Sequence, residues 1–570
     1  MARRAACAVA LVLTIGGRAV VARAAADRPS EDEMFGGAPA APPGAGGAAG
    51  TASSPGEGAA AGAPGGTTDS GAPVAGPAAG AEAASQMAGA PSAGPDAASS
   101  RDTDLLGDPK AGPRLSQDVA PEDPLKIGGQ IYLRAFARAT EGIKAADIPF
   151  STPTLVDGYF DARPNPRVRG YVLARMSFDP TLPTTAATSS TMSSSATGMG
   201  TNGMLPSLSV PLLSGVQSTR GPSVLLDQLW LRFDLAHTVF LTVGRQHVKW
   251  GTGRIWSPTD FLHPQARNPL AAFDARPGFT MLKAHVPWEE MGWNFYGFAL
   301  FEGVQQVDRQ GRPVAGSDSS PTLGQLGVAG RAEIVVGAAE LGLDAVAYRG
   351  RKPKLGADLS FGLGDFDLYV DAALRYASEV VRRGYDADVV PSFDANKTQK
   401  EQLDEWVDAK YPVLCRTGLR GQVTVGGTYS LKYNDNDVFT VTGEYFYNAL
   451  GYDDPRVYPG LFFSNSLPFF YLGRHYAALS AIAAAPYSWN YTTFTFTTLG
   501  NLSDQSFISR LDYSVVLLTH LRFEAFGAVN YGRREGEFRL GSPIITVPNV
   551  GTFALQPQSF SLGLGLRISI

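Results

Sequence analysis

Only two cysteines occur in 570 residues, Cys7 and Cys415. The first lies in a segment with the marks of a removable signal. A chain left with one thiol has no intramolecular disulfide and no paired-cysteine metal or redox centre. The six histidines, His237, His247, His263, His285, His475 and His520, include no HExxH or similarly close pair, which excludes the common helical zinc motifs. No GxSxG elbow is present, so the usual serine-hydrolase signature is missing. The glycine runs "GLGLR" and "GLGDFD" lack the helix pattern that follows a phosphate loop. The acidic clusters "DADVVPSFD" and "YNDND" miss the EF-hand spacing. The sequence therefore assigns no catalytic residue, no metal ligand and no cofactor. Long apolar runs are also absent. After the first 26 residues no stretch of 18 apolar residues occurs, which excludes helical membrane spans.

A strong charge of one sign is missing from the part that folds. Asp27–Pro124 holds 14 acids and 4 bases, a net of −10, whereas the chain from Leu125 onward holds 39 acids and 40 bases. No basic field points to nucleic acid.

What is present falls into three parts. Arg3 and Arg4 precede the apolar stretch "AACAVALVLTIGG", and small residues follow at Ala22–Ala26. This is the order of an export signal, expected to be cleaved near residue 26. Residues 27–124 are Ala-, Gly-, Pro- and Ser-rich, with hardly a large apolar residue, and read as a disordered acidic linker. From residue 125 to 570 a period of two recurs. In "LRGQVTVGGTYSLKY" (Leu419–Tyr433), Val423, Val425, Tyr429 and Leu431 alternate with Gln422, Thr424, Thr428 and Ser430. "IGGQIYLRAFARA", "RVRGYVLARMSF", "VFTVTGEYFYN" and "SFSLGLGLRISI" repeat the pattern. Such a period means strands with one apolar face.

A soluble sandwich would bury that face, whereas a transmembrane barrel turns it to lipid. Connection lengths favour the barrel. Eight links are tight, at 163–166, 236–238, 287–290, 338–340, 364–366, 434–436, 486–488 and 519–520. Those between them are mostly long, including 180–222, 249–277, 303–324, 379–418, 449–472 and 534–556. Turn-taking of this kind predicts an antiparallel up-and-down β-barrel of about 18 strands with both termini on one side. The second strand is expected near Ser151–Phe160; without it and a partner the count falls to 16.

The whole pattern resembles the porin-like outer-membrane barrels of Gram-negative bacteria. A narrower resemblance lies in Gly244-Arg245-Gln246 followed by Trp250-Gly251, which is similar to a motif of alginate-export-like and related porin-like families. The resemblance implies residence in the cell outer membrane, insertion by the barrel-assembly machinery, and diffusion of small hydrophilic solutes rather than catalysis. It leaves the oligomeric state open. Such barrels usually finish on an aromatic residue, and this sequence finishes on Ile570. The alternative function is a barrel closed by its loops that serves a structural or surface-interaction role.

The wet faces of the expected strands nominate pore-lining side chains: Arg134, Arg138, Arg167, Arg169, Arg175, Arg331, Glu333, Asp371, Arg375, Arg420, Lys432, Glu444 and Arg567. Acids two or four places away on the same face are expected to offset Arg331 (Glu333) and Arg375 (Asp371), and likewise Arg510 (Asp512) and Arg522 (Glu524). The arginines of the first and third strands have only Asp179 nearby in sequence, so a basic strip and a lean toward anions are expected. A carboxylate such as Glu444, Asp358 or one on a folded loop would weaken it. The segment after Gly244 offers a candidate constriction carrying Arg245, Lys249, Arg254 and Asp260. The competing reading pairs Arg245 with Asp227 and places Trp250 and Trp256 at the membrane interface.

Overall fold

The computed structural model describes residues 124–570, apart from 183–219, 303–325 and shorter stretches in the loops. The expected signal and linker, and Cys415, lie outside the described residues. Eighteen strands form the wall. The first nine are β1 (Leu125–Thr140), β2 (Thr154–Asn165), β3 (Val168–Phe178), β4 (Ser223–Leu235), β5 (Val239–Gln246), β6 (Phe279–Trp288), β7 (Trp293–Leu300), β8 (Gly327–Val336) and β9 (Ala339–Tyr348). The other nine are β10 (Lys354–Leu363), β11 (Phe366–Tyr376), β12 (Leu419–Lys432), β13 (Val438–Asn448), β14 (His475–Ala484), β15 (Thr492–Asn501), β16 (Ser506–Leu518), β17 (Leu521–Gly532) and β18 (Gln558–Ser569).

Each strand pairs antiparallel with its sequence neighbours, and β18 closes the ring by pairing with both β17 and β1. Leu566 lies opposite Phe523 on one side and Leu133 on the other. Closure removes the unpaired strand edge that lipid would not tolerate. The count is eighteen, and the sixteen-strand alternative is not found.

Side-chain alternation sets the two faces. On β12, Gln422, Thr424 and Thr428 are buried inside while Val425 and Leu431 are exposed outside. The same holds around the ring: Ile127, Phe160, Leu231, Val328, Leu343, Leu355, Leu479, Phe496, Leu511 and Leu564 are exposed. Buried polar residues such as Thr242, Asn294, Thr442, Ser480 and Thr497 point inward. An apolar exterior over a polar interior inverts the soluble arrangement and is that of a transmembrane barrel.

One expected boundary needs correction. The second strand runs from Thr154 to Asn165 rather than over Ser151–Phe160. Its inner face therefore adds Asp161 to Asp157, and both carboxylates are buried. On β4 a bulge breaks the register: Leu173 faces Gln228 but Ala174 faces Leu226, leaving Asp227 as the extra residue. A bulge lets two successive side chains point the same way, and Asp227 and Gln228 are both buried. The loop-end connections are mostly rather than uniformly long, as expected. Residues 349–353 and 502–505 are shorter than the seven-residue turn-end link 485–491.

At the loop end, segment 377–418 carries the helix α1 (Gln399–Lys410), started by a capping box between Thr398 and Glu401. Its Trp406 and Val407 pack with Tyr411 over the rim.

Candidate functional site

The connection between β5 and β6, residues 247–278, folds into the barrel and hooks onto the far wall. Gly244 sends it inward from the end of β5. That residue has φ +128°, and a Cβ there would lie 2.1 Å from the Leu229 carbonyl oxygen, so only glycine fits. Gln246 and Val248 follow as buried residues. Trp250 is 1 % exposed and meets Phe298 edge to face at 5.4 Å, within an apolar group that includes Phe261, Met281 and Tyr296.

At the tip, two wall carboxylates hold the backbone. Glu444 of β13 accepts from the amides of Arg254 (2.9 Å), Ile255 (3.1 Å) and Trp256 (2.6 Å), and from the Tyr369 hydroxyl (2.7 Å). Asp371 of β11, fully buried, accepts from Ser257 Oγ at 2.8 Å. Gly251 lies against that carboxylate with φ +86°, and a Cβ would stand 2.1 Å from Asp371 Oδ2. Burying charged acceptors is tolerable only when donors surround them, and three consecutive amides supply that for Glu444. Further ties run from Arg375 to the Pro258 carbonyl (2.8 Å) and from Arg510 to the Leu270 carbonyl (2.8 Å). Trp256 is stacked on Phe446 at 5.8 Å, and its indole donates to the Phe470 carbonyl at 2.9 Å.

The loop is also charged. Over 247–278 it holds four bases (Lys249, Arg254, Arg267, Arg276) and two acids (Asp260, Asp274), a net of +2. Arg276 takes both acids, Asp260 at 2.7 Å and Asp274 at 2.6 Å. Burial opposes ionisation of Asp274, yet the hydrogen bonds and charge of Arg276 hold it well below the usual carboxylate range. Among the described residues no carboxylate lies within ion-pair distance of Lys249, Arg254 or Arg267. The surrounding protein mass, then Arg267 and Arg254, draws the Lys249 ammonium down to about 7. Its side chain is nevertheless exposed, and exposure opposes the desolvation that lowers it.

The structure disperses the nominated residues. Glu444 and Asp371 face inward but serve as anchors for the loop. Lys249, Arg254 and Asp260 travel inward with it. Arg245 does not: it shares the outward parity of exposed Val243 and approaches Glu302 at 3.7 Å, not Asp227. Asp227 instead holds Arg175 (3.2 Å), His247 (2.9 Å) and the Gly278 amide (3.1 Å). Trp250 and Trp256 are interior, not interfacial.

The expected basic strip is substantially paired. Arg175 also meets Asp157 (3.0 Å), and Arg169 meets Asp161 (2.9 Å). Arg134 is buried over the Tyr132 ring, and Arg567 pairs with Glu524 at 2.9 Å. Arg138 is half-buried on the inner face of β1. Arg167 is exposed in the turn after β2, and Lys432 is exposed at the turn end of β12. Arg420 lies opposite Arg375 across the β11–β12 ladder. Arg375 itself bonds loop Pro258 rather than Asp371.

On the acidic side, Arg331 meets Glu333, Asp344 and Asp358, each at 2.8 Å, a cluster of which only the Glu333 contact follows from sequence spacing. The Arg510–Asp512 pair forms as expected, at 2.5 Å.

Behind Trp256 the anchorage continues outward. The Phe470 amide and the Tyr476 hydroxyl (2.6 Å) donate to Glu537, and Asn501 Nδ2 bridges Glu537 and Asp504, 2.9 Å from each. Burial, and then the charge of Asp504, pushes the Glu537 carboxyl up to about 8. A raised folded-state value means that ionisation opposes docking. The contribution to stability is full below the unfolded value of about 4.3 and is lost as pH rises through about 8. Amide hydrogen exchange at Phe470 and Phe538 should therefore quicken, beyond its intrinsic rise, between pH 6 and 9. Glu537→Gln should flatten that excess; an identical pH profile in the variant would show that another group is responsible.

No family model matches the chain, and no curated protein matches it. Solved structures similar to it include Pseudomonas aeruginosa OccK8 (OprE), at 8 % identity over 78 % of this chain and 98 % of that one, TM-score 0.42. A BenF-like porin from Pseudomonas fluorescens Pf-5 is similar at 11 % identity over 79 % and 99 %, TM-score 0.42. Pseudomonas putida OprB is similar at 8 % identity over 78 % and 94 %, TM-score 0.40.

Proposed function

We propose that the chain is an outer-membrane diffusion channel for small hydrophilic solutes, narrowed by the loop 247–278 and leaning toward anions. The observation that supports it best is the loop itself, carried across a polar lumen and clamped by Glu444 and Asp371, with Lys249, Arg254 and Arg267 left without carboxylate partners among the described residues. Charge fixed at a narrowing acts on every passing ion, whereas charge spread along a wide wall is screened. The paired arginines of β3 contribute less than the strip suggests. The likeness of Gly244–Gly251 to alginate-export-like barrels fits a glycine-started inward loop. Export by a signal cleaved near residue 26 and insertion by the assembly machinery belong to this reading.

A reversal potential measured under a KCl gradient is expected to show anion preference. Lys249→Gln with Arg267→Gln should move it toward zero. A cation-selective native pore, or an unmoved potential in the double variant, would refute the assignment.

A second reading has its own support. Ile255, Trp256, Leu270, Phe470 and Phe538 from three loops form one buried apolar group with Phe446, Tyr476 and Leu499 of the wall. Such packing inside the barrel favours a loop-closed structural barrel, which would carry no steady current.

A further inference from the structure

Between β9 and β10 the apolar outer face ends on a cluster of bases. The sequence there runs "RGRKPK", four bases in the six positions 349–354, the densest basic run from Leu125 onward. The link of residues 349–353 is too short to rise far above the wall, and the Arg351 amide closes it on the Tyr348 carbonyl at 3.1 Å. Lys354 already belongs to β10 and turns inward, 5.9 Å from the centroid of the Phe261 ring. Arg349 and Lys352 are exposed, and Arg351 is half-buried. Lys352 leans outward. Its ammonium lies 4.7 Å from the ring centroid of Tyr376, which shares the outer face of β11 with exposed Phe366 and Leu374. Among the described residues no carboxylate comes within ion-pair distance of Arg349 or Lys352, and Glu379 meets only the Lys352 amide, at 3.4 Å. Other loop-end bases are paired: Arg533 with Glu535, and Arg534 and Arg539 with Glu141.

Height places these bases at a membrane surface. Phe366, at the turn end of β11, and Tyr376, at its loop end, are ten residues apart on the outer face. At about 3.4 Å per residue and a tilt of about 40°, the rise between them is roughly 26 Å. The apolar band of an outer-membrane barrel is about 25 Å tall and edged by aromatic girdles. Exposed Trp288, Tyr487 and Trp489 mark the turn-side edge, and Tyr376 marks the loop-side edge. Directly below the bases the wall is apolar. Leu343, Leu355 and Leu374 are exposed, and Leu355 lies between Ala345 and Leu374 across the two ladders. Long basic side chains at such a height lay their stems on the apolar wall and hold their charge in the headgroup layer.

We propose that Arg349, Arg351 and Lys352, with Tyr376 beneath them, dock the phosphates of a phosphorylated lipid in the leaflet at the loop end. The surface complements both parts of such a molecule. The bases meet the anionic head, where guanidinium and phosphate form charge-assisted hydrogen bonds, and the leucines meet the acyl chains. Free phosphate gains only the first of these contacts. The outer-membrane reading makes this the outer leaflet. Docking needs no open pore, so a barrel that passes no current binds the lipid equally.

Native mass spectrometry of the full chain in neutral detergent tests this, with an acylated glucosamine disaccharide bearing two phosphates as the probe. Heat-modifiable migration checks that each variant is folded. A base near an anionic lipid surface is worth about a fivefold change in binding, so Arg349→Gln with Lys352→Gln should weaken it about 25-fold. Arg533→Gln with Arg534→Gln, elsewhere on the same rim, should leave it unchanged. The same lipid stripped of phosphate should bind the native chain no better than the intact lipid binds the Arg349/Lys352 variant. Inorganic phosphate in excess should not displace the lipid. Unchanged binding in the Arg349/Lys352 variant overturns the proposal, and so does an equal loss in both double variants, which would mean diffuse charge attraction. Full displacement by inorganic phosphate, or equal binding of the stripped lipid, also overturns it. Current and lipid binding are read on the same protein, so the channel reading and the docking can fail separately.

Discussion

Replacing Glu444 with alanine is expected to release the inward loop, raise single-channel conductance and add large slow fluctuations to the current. The carboxylate accepts from three successive loop amides and from Tyr369. A hydrogen bond to a charged group contributes about 1.5–3 kcal/mol, and orphaned buried donors add to the loss. Even a net change of about 3 kcal/mol shifts the docking equilibrium on the order of 100-fold. Glu444→Gln keeps part of the acceptor capacity and should fall between native and alanine. Trp256→Ala removes the aromatic contact with Phe446 and the bond to Phe470 without touching the wall carboxylate. It should raise conductance in the same direction. Unchanged conductance in all three would mean that the loop does not set the bore.

Arg331→Met should cost the barrel more than any loop change. One guanidinium holds Glu333, Asp344 and Asp358, and the two Asp side chains are almost wholly shielded. Removing one partner of a buried charge group costs about 3–5 kcal/mol, because the remaining charges are left uncompensated. The variant is expected to lose the fast-migrating folded band on unboiled gels at a markedly lower temperature than the native chain. Adding Asp344→Asn and Asp358→Asn should recover part of the loss, since neutral amides need no counter-charge. A native-like transition in Arg331→Met alone would show that the cluster is bridged by water instead.

The wall was legible in the sequence because a strand writes its environment into every second residue. The β12 alternation from Gln422 to Leu431 reads directly as a wet and a lipid face. Strand β4 resisted because a bulge at Asp227 resets that period. Of the missed pairs, Arg169–Asp161 follows from the misplaced end of the second strand, whereas Asp157 lies within its expected bounds and only the cross-strand register, Asp157 opposite Arg175, brings that pair together.

The loop anchors were not legible in principle. Arg254 and Glu444 stand 190 positions apart, and nothing local marks Glu444 as a cap for a distant backbone rather than a lumen charge. The tryptophans misled for a related reason. A large aromatic near a strand end suits the interface, and only the inward course of the loop puts Trp250 and Trp256 inside. Gly244 and Gly251 were the available signal: two glycines bracketing a turn, both at positive φ, mark where the chain must leave the wall.

Water and ions are expected to pass between the clamped loop and the wall. Single-channel recording of the full chain in planar bilayers, on material shown to be folded by heat-modifiable migration, tests it directly. Discrete, steady current steps that grow in Glu444→Ala are the predicted result. Inserted, folded protein that passes no current, in the native chain and in Glu444→Ala alike, would contradict it.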